Sequence, residues 1–284
     1  MDAPVLTPAP PDPPELPAGA ERLPAWPPWF AGVGFLVALA GTILFGAVLG
    51  LAATAVGAEP EDDSPALVVV GTLAQGIAFV ATAIFFASRV ARPRAWHFGL
   101  RETSFWPALG WAALGVASFY LTTAIYGALV RPDAEQGTVE ALGADQGTFG
   151  LIVAGLMVIL VAPVVEEFFF RGFFYRALRS RFSVIAAATA NGLLFGVIHY
   201  NFEGAEALLL VPPLALLGFV YCLVYEQTGS LYPVIAMHAL NNAVAYAVQA
   251  DGGWQVSVVA GPLMLAACAL VPQVLRAAPR ARPA

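Results

Sequence analysis

The chain has 284 residues, 59% of them hydrophobic and 11% charged, with a formal net charge of -6 and a mean hydropathy of +0.76. A soluble domain is roughly half apolar and a quarter charged, so a water-soluble globule is excluded and a bilayer is the fitting solvent. All 13 basic residues are Arg, and none of their groupings is dense enough for nucleic-acid binding.

Residues 1–28 hold 10 of the 23 prolines, with Asp and Glu among them and few large apolar side chains before Trp26. Such a segment cannot bury enough apolar surface to offset the entropy of ordering, so a disordered, Pro-rich cytoplasmic tail is expected. The tail lacks a basic start, and the apolar run behind it exceeds the roughly 7–15 residues of a signal-peptide core. The first span is expected to serve as its own insertion signal.

Eight charge-free stretches follow, at 29–57, 65–88, 103–130, 146–165, 182–202, 207–225, 227–250 and 252–275. Most reach the roughly 20 residues that cross hydrocarbon as a helix. The fifth and sixth are the weakest, because charges crowd them and Pro212-Pro213 lies inside the sixth. None alternates strictly between apolar and polar residues, and lipid admits only helices or closed barrels. The expected fold is all-α, a polytopic membrane helix bundle of about eight transmembrane helices. N-terminal transmembrane helices occupy 29–145, a core 146–250, and the last helix with an Arg-containing tail 251–284. Cys222 and Cys268 both fall inside these helices and read as small buried apolar residues, not as a disulfide framework.

With eight spans and the N-terminus inside, Arg22, Arg89, Arg92, Arg94, Arg101, Arg176, Arg179, Arg181, Arg276, Arg280 and Arg282 share one side. The positive-inside rule makes that side cytoplasmic. The opposite connections carry Glu59, Glu61, Asp62, Asp63, Asp133, Glu135, Glu140, Asp145, Glu203, Glu206 and Asp251, with Arg131 as their base. An integral multi-pass protein of a bacterial-type plasma membrane, both termini cytoplasmic, is expected. The segment Arg92–Arg101, with Trp96, His97 and Phe98, reads as a surface anchor between the second and third spans.

Beyond residue 146 ionisable and amide side chains enter the apolar helices themselves. Glu166 and Glu167 follow an apolar run, where an ionised group costs at least a few kcal/mol unless compensated. Glu167 and Arg171 are four apart with the acid first, the favourable order for an intrahelical pair, and Glu166 is left free about 100° round the helix. His199 closes the fifth apolar stretch with Phe195 one turn before it on the same face. His238 and Asn242 share a face about seven residues into a span, and polar pairs that deep face a cavity or join helices.

A carboxylate in an apolar setting can take a proton from water, while a neighbouring His orients that water. A second His with an Asn can donate hydrogen bonds to the oxyanion formed when water attacks a carbonyl. Glu166, His199, His238 and Asn242 thus suffice for a peptide-bond hydrolase. Glu166, His199 and His238 are also acceptable zinc ligands, although no HExxH motif is present and no added cysteine or carboxylate favours a metal. No cofactor is therefore expected, with zinc as the alternative. No Ser or Cys sits in a nucleophile context.

The ordered set EExxxR, FxxxH and HxxxN on successive membrane helices resembles the CAAX prenyl protease and bacteriocin-processing family of intramembrane proteases. Here it is Glu166-Glu167 to Arg171, Phe195 to His199, and His238 to Asn242, and the segment Glu226-Gln227-Thr228-Gly229-Ser230-Leu231-Tyr232-Pro233 is similar to the family as well. The resemblance implies an intramembrane endopeptidase whose catalytic core lies in the C-terminal four helices. It implies Glu166 as catalytic base, His199 as its water-binding partner and His238 with Asn242 as oxyanion hole. Glu167, Arg171 and Phe195 would support them. The implied partners are a peptide or protein substrate at the membrane and the lipid bilayer itself.

Two other classes compete: a non-catalytic immunity or scaffold protein whose polar cluster holds a partner helix, and a proton-coupled transporter. Depth also raises a difficulty. A span over 146–165 leaves Glu166 at the cytoplasmic surface, whereas His199 stands near the far end of its own span. They meet only if the fourth span starts later or tilts, or the fifth begins deeper than residue 182.

Overall fold

The computed structural model describes residues 24–55, 64–132, 137–200 and 206–277. Most of the expected tail 1–28, the loop acids Glu59, Glu61, Asp62, Asp63, Asp133, Glu135 and Glu203, and Arg22, Arg280 and Arg282 lie outside the described residues. Among the described residues there is no strand.

Among the described residues eight helices of 15 residues or more follow in chain order. They are α1 (Trp29–Ala55), α2 (Pro65–Ser88), α3 (Phe105–Val130), α4 (Gly147–Arg179), α5 (Val184–Ile198), α6 (Val211–Thr228), α7 (Leu231–Gln249) and α8 (Gly253–Ala277). Six of the described segments are long and apolar enough to cross a membrane: α1, α2, α3, α4, α6 with the turn before it, and α8. The other two carry or adjoin polar site residues: α5 is 15 residues long, and α7, with His238, Asn241 and Asn242, is 19. The multi-pass helical bundle is thus the observed fold.

Helix ends follow local chemistry. Ser183 accepts from the Ala186 N–H at 3.2 Å and starts α5, a side-chain oxygen satisfying one of the unpaired first-turn donors. Pro212 and Pro213 fall in the first turn of α6, where a missing N–H costs nothing, so they begin that helix and do not interrupt it. Gly229, at φ +61, closes α6 in the left-handed conformation that glycine adopts freely. Ser230 then caps α7 by accepting from the Tyr232 N–H.

The fourth span departs from expectation. It runs for 33 residues to Arg179, 14 positions past the expected end at 165, because Glu167, Arg171 and Arg179 find ion-pair partners inside the protein. Glu167 pairs with Arg171, Arg179 with Glu226 on α6, and the Arg176 guanidinium lies 4.6 Å from the Trp26 ring centre. Two π-helical turns, Met157–Val161 and Phe170–Tyr175, interrupt its α-helical winding. The extension removes the depth difficulty. Glu166 is 13 residues, about 20 Å, from the Arg179 end, and His199 is 15 residues, about 22 Å, from Val184 across the turn. The two therefore stand at one level, with α4 starting at Gly147 and α5 at Val184.

The segment Arg92–Arg101 keeps Arg92, Arg94 and Ala95 exposed but is also anchored inward. Its 3₁₀ turn Ala95–Phe98 buries His97 and Phe98. Phe98 stacks on Phe168 at 4.5 Å and packs on Trp26 at 5.1 Å. The Leu231 N–H donates to the Gly99 carbonyl at 2.8 Å, and Arg101 donates to the Gly229 carbonyl, so this connection locks onto the α6–α7 turn.

The closest helix pair is α5 with α6. A Cβ on Gly192 would stand 2.5 Å from the Ala215 carbonyl oxygen, and one on Gly196 2.7 Å from that of Val211. The small-xxx-small spacing lets these backbones touch, the usual packing device where lipid gives no hydrophobic drive between helices.

Candidate active site

Four helices supply the site. α4 brings Glu166, Glu167 and Arg171, α5 brings Asn191, Phe195 and, at its C-terminal cap, His199, α6 brings Gly218 and Tyr221, and α7 brings His238 and Asn242.

The innermost part is an ion pair with no exposure to solvent: Arg171 Nη1 donates to Glu167 Oε1 at 2.9 Å, both side chains 0% exposed. Desolvating two charges is costly, and further contacts offset part of that cost, although Glu167 Oε2 and Arg171 Nε have no hydrogen-bond partner among the described residues. Arg171 Nη2 donates to the Gly218 carbonyl at 3.0 Å, and the guanidinium lies 4.6 Å from the Phe195 ring centre and 5.1 Å from that of Tyr221. Glu167 Oε1 accepts a second bond, from His238 Nδ1 at 2.7 Å. A carboxylate only accepts here, so the proton of that bond sits on Nδ1, and Nε2 of His238 faces Glu166.

Glu166 is the outer acid. Its Oε2 lies 3.9 Å from His199 Nε2 and 3.9 Å from His238 Nε2, and it has no hydrogen-bond partner among the described residues. His199 Nδ1 stands 2.6 Å from the Phe195 carbonyl oxygen, which again fixes the proton on Nδ1 and turns Nε2 towards Glu166. Phe195 is the shared spacer, its ring 4.5 Å from that of His199 and 6.0 Å from that of His238. The three motifs legible in the sequence thus converge on one place.

Asn242 Nδ2 donates to the Val158 carbonyl at 2.9 Å, which leaves one amide hydrogen free. Val158 belongs to the first π turn, and a π turn frees carbonyls from the helical ladder. The second π turn repeats the device: buried Asn191 donates to the Phe170 carbonyl at 2.8 Å and accepts from the Cys222 thiol at 3.3 Å. Sequence reasoning gave no role to Asn191, an amide in mid-span, although its residue type was the available signal. Tyr221 was missed too. Its ring is 5.3 Å from that of His238 and its buried hydroxyl is unpartnered among the described residues. Nothing in its sequence context marks it.

A cavity of about 420 Å³ opens beside Glu166 and His199 and is lined also by Thr72, Gln75 and Gly76 of α2. His238 and Asn242 do not line it. Among the described residues no three His, Cys, Asp or Glu side chains are grouped to hold a metal ion.

Fold and site together define a multi-pass helical membrane protein with an ionisable cluster held inside the bundle and open to an internal cavity. Residues 148–244 match the Rce1-like family model, described as type II CAAX prenyl endopeptidase Rce1-like. The match covers 97 of the 284 residues. No curated protein and no solved structure matches it.

Proposed function

We propose that the chain cuts a peptide bond inside the membrane with a water activated by Glu166, without a metal. The observation that carries this reading is the 3.9 Å separation of Glu166 Oε2 from His199 Nε2, too long for a direct hydrogen bond and suited to one bridging water. Both atoms face the gap as acceptors, so a water between them gives each a proton and aims its lone pair into the cavity.

In the first step the water oxygen bonds to the scissile carbonyl carbon, Glu166 takes the water proton, and the carbonyl oxygen becomes an oxyanion. Asn242 offers its free amide hydrogen to that oxygen. His238, whose Nδ1–H is already committed to Glu167, donates to that oxygen from Nε2 only as the imidazolium. The tetrahedral intermediate then collapses, the C–N bond breaks, and Glu166 returns the proton to the leaving amine.

The name of the matched family makes a peptide with a prenylated CAAX end the first substrate to try. The test is a panel of internally quenched peptides, with and without a farnesyl group, added to purified protein in detergent. Wild type cleaves at least one, and Glu166→Ala and His199→Ala lower turnover by a factor of about 10² or more while remaining folded. Undiminished turnover in either variant, or cleavage of none, would sink the reading. A chelator leaves the rate unchanged if no metal takes part, whereas its loss on chelation and return with zinc favours the zinc form. A partner-dependent phenotype that survives Glu166→Ala favours a scaffold instead. We further propose that the Arg-bearing end is cytoplasmic in a bacterial-type plasma membrane, with both termini on that side.

A further inference from the structure

α2 lies outside the residues that match the family, and its sequence from Pro65 to Ser88 contains no charge. Within it, Gln75 lines the same cavity as Glu166 and His199. Its carboxamide makes no hydrogen bond to any described residue, whereas the nearby Thr72 hydroxyl is spent on the Val68 carbonyl at 2.8 Å. Its neighbour Gly76 brings α2 close to α4, since a Cβ there would meet the Val165 methyls at 3.3 and 3.4 Å. One turn on, the Phe79 and Phe169 rings pack at 4.5 Å. These contacts hold the α2 backbone at Gln75 beside α4.

An unpaired amide at membrane depth is costly unless something binds it. Much of the surrounding wall is apolar: Val68, Phe79, Met157, Val161, Ala162 and Val165. A peptide drawn into this cavity gives up water at every N–H and C=O, and each group left unpaired costs up to several kcal/mol. A carboxamide offers a donor and an acceptor side by side, the complement of one peptide unit.

We propose that Gln75 binds the backbone of the peptide segment to be cut and holds its scissile bond against the Glu166 water. The proposal rests on the peptidase reading above. Gln75 touches substrate away from the reacting atoms, so it strengthens ground state and transition state alike, the pattern that moves KM and leaves kcat in place.

The experiment compares wild type, Gln75→Met and Glu166→Ala on the internally quenched peptide that wild type cuts fastest. Methionine keeps the length and removes the hydrogen bonds. The expected result is a KM raised about three- to tenfold, the range of one amide hydrogen bond, with kcat and the thermal unfolding midpoint unchanged. On a Glu166→Gln background, fluorescence anisotropy with the same peptide shows binding weakened by a similar factor, and Gln75→Asn lies between Met and wild type. An unchanged KM, or a loss confined to kcat, overturns the assignment of Gln75 while Glu166→Ala stays inactive. Turnover that persists in Glu166→Ala instead brings down the peptidase reading.

Discussion

One carboxylate oxygen, Glu167 Oε1, accepts from both Arg171 and His238. The (i, i+4) spacing of Glu167 and Arg171 made their pairing legible before any fold was known, since one turn of helix brings them together wherever the helix lies. The bond to His238 was not legible, because it spans 71 positions and depends on how α7 packs against α4. Arg171→Met leaves Glu167 buried beside a hydrophobe and is expected to cost about 3–5 kcal/mol, measured by denaturant unfolding in micelles. The double variant Glu167→Gln with Arg171→Met recovers much of that loss. A double variant as unstable as the single would show that the two residues do not act as a pair. Gln75 was passed over in the sequence for a simple reason: one amide in a charge-free run has no spacing partner to single it out.

The helices themselves were well marked. Seven of the eight apolar stretches end within four residues of the observed helices they predict, because hydrocarbon length and charge exclusion set those limits. The fourth did not, since a charge-free window stops at Glu166 whether or not that charge finds a partner within the bundle. The π turns left no trace in composition either, yet they free the carbonyls that hold Asn191 and Asn242. Deleting one residue, such as Leu160, from the first π turn can restore regular α-helix. Five π residues turn about as far as four α residues, so the two halves of α4 keep their phase while the carbonyl that holds Asn242 returns to the helical ladder. Helix content by circular dichroism is expected to stay the same while peptide cleavage is lost. Retained cleavage would make the π turn dispensable to the site.

At the scale of the molecule, the Arg-bearing connections gather at one end, where Arg101 meets the α6–α7 turn and Arg179 meets Glu226. If that end is cytoplasmic, then on a background without Cys222 and Cys268 an Asp251→Cys variant reacts with an impermeant thiol reagent in intact cells. Arg181→Cys reacts only after the membrane is opened. The reverse pattern would invert the topology. The bundle also meets its bilayer unevenly. At 15 residues α5 rises about 22 Å, against roughly 30 Å of hydrocarbon, and it stops at His199. A helix that short thins the lipid beside it or leaves its end unfilled. Water and headgroups thus come down to meet the histidine, and the thickness of the host membrane becomes a setting on how wet the site is.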